Sequence, residues 1–182
     1  MIDMHRMKTL SFVLLLGFSQ VLLAQRQPDV IYVPTRQTVV DAMLSVAKVK
    51  AGDVVYDLGC GDGRIVVSAA KLGAQGIGID IDPVRVEEAL QNVQRNNVAD
   101  RVKILNQDLF TTDISDANVV ALYLLPYLNL KLRPTLWKLK PGTRIVSHDF
   151  DMGDWKPEQV LTVDNATIYF WTITPDLAGK VK

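Results

Sequence analysis

The sequence predicts an α/β fold built on a mostly parallel sheet, and three observations predict it. Short β-branched and aromatic runs alternate with stretches of helical periodicity, the pattern that sets parallel strands beneath crossover helices. A glycine-rich turn, Gly59-Cys60-Gly61-Asp62-Gly63, directly follows the first of these runs and opens a helix. The chain then finishes on two strand-like runs separated by Asp164-Asn165, which read as an antiparallel hairpin. At 182 residues it is long enough for one domain with a full core.

Residues 1–24 stand apart from the fold. His5, Arg6 and Lys8 precede a mostly apolar run over 10–24, a basic n-region followed by an h-region too short for a comfortable membrane span. The segment reads as a signal peptide cut after Ala24. Leu22 is a poor residue at the third position before such a cut, which keeps an uncleaved anchor as the alternative. Residues 25–34 form a polar linker and an extended lead-in, because Pro34 pushes the residue before it toward β. The folded domain spans 35–182.

Within the domain, Thr35 is placed as the N-cap of a helix that buries Val39, Val40, Met43, Leu44 and Ala47. Lys50-Ala51-Gly52-Asp53 turns the chain into a strand over 54–56, closed by Asp57. After the glycine turn, 65–72 reads as helix and 76–79 as a second strand ending at Asp80. Pro83 suits a first helical position; Val86, Leu90 and Val93 are expected to face inward, with Glu87, Glu88, Gln91 and Arg95 in water. Asn96 and Asn97 end that helix. A strand over 102–105 leads to Gln107-Asp108-Leu109, and a fourth over 119–122 leads to a segment from Tyr123 to Tyr127. A helix over 128–139 follows, which Pro134 should bend or divide. Strands over 144–147, 160–163 and 166–173 bring the count to seven.

Composition narrows the function. Twenty basic and twenty acidic residues give no net charge, so no nucleic-acid partner is expected. A single cysteine, Cys60, forbids an internal disulfide and reads as a small residue filling a tight turn. No metal is expected. A membrane is expected only at the N-terminal segment, and no feature speaks to an oligomeric state.

Ligands of open α/β sheets bind beyond the carboxyl ends of the strands. Every singled-out loop follows a strand end: Asp57 with the glycines, Asp80, Asp108, Tyr123 to Tyr127, and His148 to Asp151. An acid about 20 residues past the first glycine is where such a site holds ribose hydroxyls. The dinucleotide fingerprint G-x-G-x-x-G does not fit, because Arg64 stands where its third glycine should be. The glycines instead run G-x-G-x-G behind an acid.

Asp57-Leu58-Gly59-Cys60-Gly61-Asp62-Gly63 resembles motif I of the seven-stranded, S-adenosylmethionine-dependent methyltransferases, and Asp80 matches that family's acid at the end of strand two. The resemblance implies a Rossmann-like, doubly wound sheet of order 3-2-1-4-5-7-6, with S-adenosyl-L-methionine as cofactor. It places Gly59, Gly61 and Gly63 against the methionine and ribose parts, with Asp57 heading the motif. Asp80 goes to the ribose hydroxyls and Ile81 to the adenine face; Asp108 goes to the adenine amino group, with Leu109 beside it. Tyr32-Val33-Pro34-Thr35, Gln107-Asp108-Leu109-Phe110 and the 122–126 segment resemble the small lysine methyltransferases related to the enzyme of the ATP synthase c-subunit. That likeness implies a protein lysine as acceptor.

Methyl transfer asks the protein mainly to orient two partners and exclude water. An amine acceptor must also lose a proton, and Tyr123, His148 and Asp149 are candidates by position alone. Tyr123, Tyr127, Phe150 and Trp155 are candidates to hold an ammonium by a π-face. A small-molecule methyltransferase and a non-catalytic S-adenosylmethionine-binding module remain alternatives. Export would part such an enzyme from its cytoplasmic cofactor: the chain is periplasmic if bacterial and exported, and cytoplasmic if its start is mis-assigned.

Overall fold

The computed structural model describes residues 31–178. The expected signal or anchor over 1–24 and the linker up to residue 30 lie outside the described residues. Helix α1 (Gln37–Val46) leads to β1 (Val54–Leu58), α2 (Arg64–Lys71), β2 (Gln75–Asp80), α3 (Pro83–Arg95), β3 (Val102–Asn106), β4 (Val119–Leu122), α4 (Pro126–Leu136), β5 (Arg144–His148), the hairpin β6 (Gln159–Val163) and β7 (Ala166–Thr172), and a last turn of helix, α5 (Pro175–Ala178).

The strands form one sheet of order β3-β2-β1-β4-β5-β7-β6, the order the resemblance implied. β1 to β5 pair in parallel, and β7 runs antiparallel to both β5 and β6. Asp164 and Asn165 both take positive φ at the hairpin turn, where residues with short polar side chains tolerate it.

Strand alternation sorts side chains into two layers. On one face Val55, Val119, Ala121, Val146 and Ile168 pack with Val39, Val40, Met43 and Leu44 of α1 and with Ile65 and Ala69 of α2. On the other, Tyr56, Leu58, Val120, Leu122, Ile145 and Trp171 pack with Leu128, Leu132 and Leu136 of α4. Central strands buried on both faces read as continuous apolar runs, so a carboxylate among them needs a reason. Asp57 in β1 is that case.

Three expectations are corrected. Thr35 is not the N-cap of α1; Arg36 is, with no side-chain cap, because the Thr35 hydroxyl is engaged by His148. Leu90 is 41% exposed, and Ala89 takes the buried position on α3. A Cβ on Gly63 would come 3.0 Å from the Ala89 Cβ, so α3 meets the start of α2 too closely for a larger side chain. Pro134 does not divide α4, which starts at Pro126 and runs through Pro134 as one helix. Pro134 lies in the last turn of the helix on the exposed side, where a lost backbone bond is tolerated.

Candidate functional site

The carboxyl ends of β1, β2, β3 and β4 converge on a cavity of about 330 Å³. Its polar lining includes Asp57, Asp62, Asp80, Asp82 and Asp108, and its apolar lining Ile81, Leu109, Phe110, Leu124 and Leu128. The glycine loop is bound to β2 by the amides of Gly59 and Cys60, which donate to the Ile79 carbonyl at 2.8 and 2.9 Å. Asp80 closes the unit: Oδ2 accepts from the Gly61 amide and Oδ1 from the Asp82 amide, each at 2.9 Å. Asn106 at the end of β3 donates to the Asp80 and Ile81 carbonyls at 3.0 Å. The loop after β3 turns on Asp108, whose Oδ1 accepts from the Phe110 amide at 2.9 Å.

Asp57 is 3% exposed and lines the cavity, with no side-chain hydrogen bond to any described residue. Burial, then the neighbouring carboxylates of Asp80 and Asp62, push its carboxyl up to about 8. Burial also raises Asp80, against the opposing pull of the backbone amides. The Cys60 thiol is driven well up, first by burial and then by the same carboxylates, which makes it a space-filling group rather than a nucleophile.

The expected site residues fall into two sets. Asp57, Gly59, Asp80, Ile81, Asp108, Leu109 and Tyr123 line the cavity. Gly61, Gly63, His148 and Asp149 do not. Gly63 serves the contact with Ala89, and Gly61 makes room for the Tyr32 ring, which would collide with any Cβ there. His148 is buried at the end of β5, stacked on Tyr123 with ring centroids 3.8 Å apart. Asp149 is bound to β7, its Oδ1 accepting from the Thr167 amide at 2.8 Å.

Of the aromatics expected to hold an ammonium, Tyr123 alone faces the cavity. Phe150 stacks behind it at 6.2 Å, Trp155 packs between Trp137 and Trp171, and Tyr127 is 55% exposed. Burial, then Asp149, raises the Tyr123 phenol, so it stays protonated at neutral pH. Burial lowers His148, with Asp149 opposing and Arg36 assisting.

Sequence reasoning missed one wall of the cavity. Residues 31–35 cross the glycine loop, and Arg64 and Arg85 join them in the lining. Arg85 lies over the Tyr32 ring at 4.7 Å, and Arg64 donates to the Thr35 carbonyl at 2.6 Å while forking onto Asp62. The available signals were Pro34, which fixes an extended chain, and the family likeness of Tyr32-Val33-Pro34-Thr35, neither of which says what that chain crosses.

The family described as "ANTKMT methyltransferase domain" matches residues 57–159. A protein-lysine N-methyltransferase of Saccharolobus islandicus is 46% identical over 153 residues, covering 80% of this chain and 95% of that protein. A lysine N-methyltransferase of the ATP synthase c-subunit from Xenopus laevis is 29% identical over 142 residues, covering 78% of this chain and 62% of the other. Among solved structures, a chain described as an RNA methyltransferase from Salinibacter ruber in complex with S-adenosyl-L-homocysteine superposes with a TM-score of 0.77 and 54% identity, covering 79% of this chain and 95% of that one.

Proposed function

The chain belongs to the ANTKMT methyltransferase family and is an S-adenosylmethionine-dependent methyltransferase, and on that premise we propose that its methyl acceptor is a lysine side chain of a protein. The cavity fits the cofactor chemically. Asp57 offers an ammonium a buried carboxylate with no partner among the described residues, Asp80 offers acceptor oxygens at the end of β2, and Ile81, Leu109 and Phe110 offer apolar surface. When bound, S-adenosylmethionine supplies a methyl group on a positively charged sulfur.

The observation that carries the acceptor is the charge of the lining. Five aspartates and two arginines face the cavity. Both arginines are already paired, Arg64 with Asp62 at 2.6 Å and Arg85 with Glu88 at 2.6 Å. Arg64 offsets Asp62, and Asp57 holds its proton near neutral pH, but the remaining aspartates still outnumber Arg85, and a lining of that sign favours an ammonium over a phosphate. The Saccharolobus and Xenopus relatives are both named as lysine methyltransferases, which agrees.

The acceptor nitrogen needs a free lone pair, so the ammonium must first shed a proton. Tyr123 does not take it, because its phenol stays protonated. His148 lies buried behind Tyr123 with both ring nitrogens facing partners. With no side chain taking the proton, it leaves to water, and the chain's part is to seat the resulting amine beside Tyr123 and then keep water out.

The description of the Salinibacter chain favours RNA as a second reading. One experiment separates them: the protein and methyl-labelled S-adenosylmethionine are incubated with total protein and with total RNA, and the products are hydrolysed. Label in methylated lysine supports the proposal. Label confined to RNA overturns it.

A further inference from the structure

Thr35 is held from two sides. Its carbonyl accepts from Arg64, and its hydroxyl lies 3.1 Å from Nδ1 of His148, 113 residues away. The other ring nitrogen of His148, Nε2, faces Oδ2 of Asp149 at 3.4 Å. Asp149 cannot turn away, because its Oδ1 accepts from the Thr167 amide and its own amide donates to the Thr167 carbonyl at 2.7 Å. A carboxylate only accepts, so the proton of the neutral ring sits on Nε2 and Nδ1 accepts from the Thr35 hydroxyl. The face of the same ring is stacked on Tyr123.

One buried side chain thus joins two walls of the cavity that no backbone hydrogen bond joins among the described residues. Residues 31–35 cover the glycine loop, where Tyr32 packs on Gly61. Tyr123 stands at the end of β4. We infer that His148 is a positioning residue: its bond to Thr35 latches the 31–35 segment over the bound cofactor, and its stack on Tyr123 sets the opposite wall in register with that latch. The inference rests on the methyltransferase reading and adds a residue that touches neither substrate.

The test uses the full chain and S-adenosylhomocysteine as the probe, with affinity measured by calorimetry and dissociation by displacement of labelled ligand. Thr35→Val and His148→Phe each remove the Thr35–His148 bond, and phenylalanine keeps the stack on Tyr123. Each is expected to weaken binding roughly five- to tenfold, the size of one buried hydrogen bond, with the change in the dissociation rate. The double variant should bind no more weakly than either single one. His148→Asn, which presents a side-chain oxygen near the place of Nδ1 but loses the stack, should release the probe more slowly than His148→Phe, as far as the bond to Thr35 is restored, and still faster than wild type, because Tyr123 is no longer held. Multiplying losses in the double variant, or unchanged dissociation in folded Thr35→Val, overturn the latch. If His148→Phe fails to fold, Thr35→Val decides alone, since valine keeps the shape and puts a methyl group in place of the hydroxyl. A wild-type chain that does not bind the probe overturns the latch and the methyltransferase reading together.

Discussion

The Gly61 amide donates to Oδ2 of Asp80 at 2.9 Å, which makes the glycine loop and the end of β2 one rigid corner of the cavity. Asp80 also accepts from the Asp82 amide, so both of its oxygens face backbone donors. Asp80→Asn would turn an NH₂ group against one of them. The expected result is a loss of roughly 1–3 kcal/mol in stability and at least a tenfold loss of S-adenosylhomocysteine affinity. Thermal melts and calorimetric titration measure the two. Wild-type values in both would show that the corner does not depend on this carboxylate.

Asp57 should make the ligand-free protein sensitive to pH. Its folded pKa of about 8 lies above the ordinary 3.8, so the folded state holds the proton more tightly than the unfolded state. The stabilisation is fully present below the unfolded value and is lost as pH rises through the folded one. The unfolding midpoint should therefore fall between about pH 4 and pH 8, and Asp57→Asn should flatten that fall. An ammonium bound beside Asp57 favours its ionised form. Titration with S-adenosylhomocysteine near neutral pH should then release a proton, read as a heat that varies with buffer ionisation enthalpy, and Asp57→Asn should abolish the release.

Gly61 and Tyr32 give a paired test of the covering segment. Gly61 has φ +52°, and a Cβ there would run into the Tyr32 ring. Gly61→Ala should cost about 1–3 kcal/mol from backbone strain and displacement of the ring together. Tyr32→Ala in the same chain should return the steric part and leave the strain. Chemical denaturation of the two single variants and the double one reads the coupling. Simple additivity would mean that the ring moves aside at no cost.

Tyr123 separates surface from proton transfer. With its phenol protonated, Tyr123→Phe should keep methyl transfer within about fivefold of wild type, whereas Tyr123→Ala should lose more than tenfold by removing the aromatic face. At saturating S-adenosylmethionine the rate should climb with pH toward the amine range, because the acceptor loses its proton to water and not to a side chain. A Tyr123→Phe variant reduced to background would instead identify the phenol as the proton acceptor.

Residues 1–24 yield a prediction of their own. Their basic start and apolar run are expected to carry a fused reporter that matures only outside the cytoplasm, and a silent reporter would point to a mis-assigned start.

Much of the site was legible because it depends on local rules. A β-branched run, an acid and alternating glycines before a helix define a tight turn at a strand end, and parallel strands bring successive strand ends to one edge. That logic alone put Asp57, Gly59, Asp80, Asp108 and Tyr123 near one another, and all five line the cavity. The seven strands and their hairpin were readable for the same reason, since short β-branched and apolar runs bounded by turn residues are written in short windows.

Contacts between distant segments were a different matter. Gly61 and Gly63 look alike in the motif, yet one accommodates Tyr32 and the other Ala89, and only the approach angles of the covering segment and α3 distinguish them. His148 and Asp149 looked like candidate bases because they follow β5, but packing turned one onto Thr35 and Tyr123 and the other onto β7. Neighbours along the chain were enough to set the strands, the turn chemistry and the edge at which a ligand binds. Which polar side chains stay free to meet that ligand was settled only in three dimensions, because a hydrogen bond such as that between Thr35 and His148 spans 113 residues and exists only once both ends are packed.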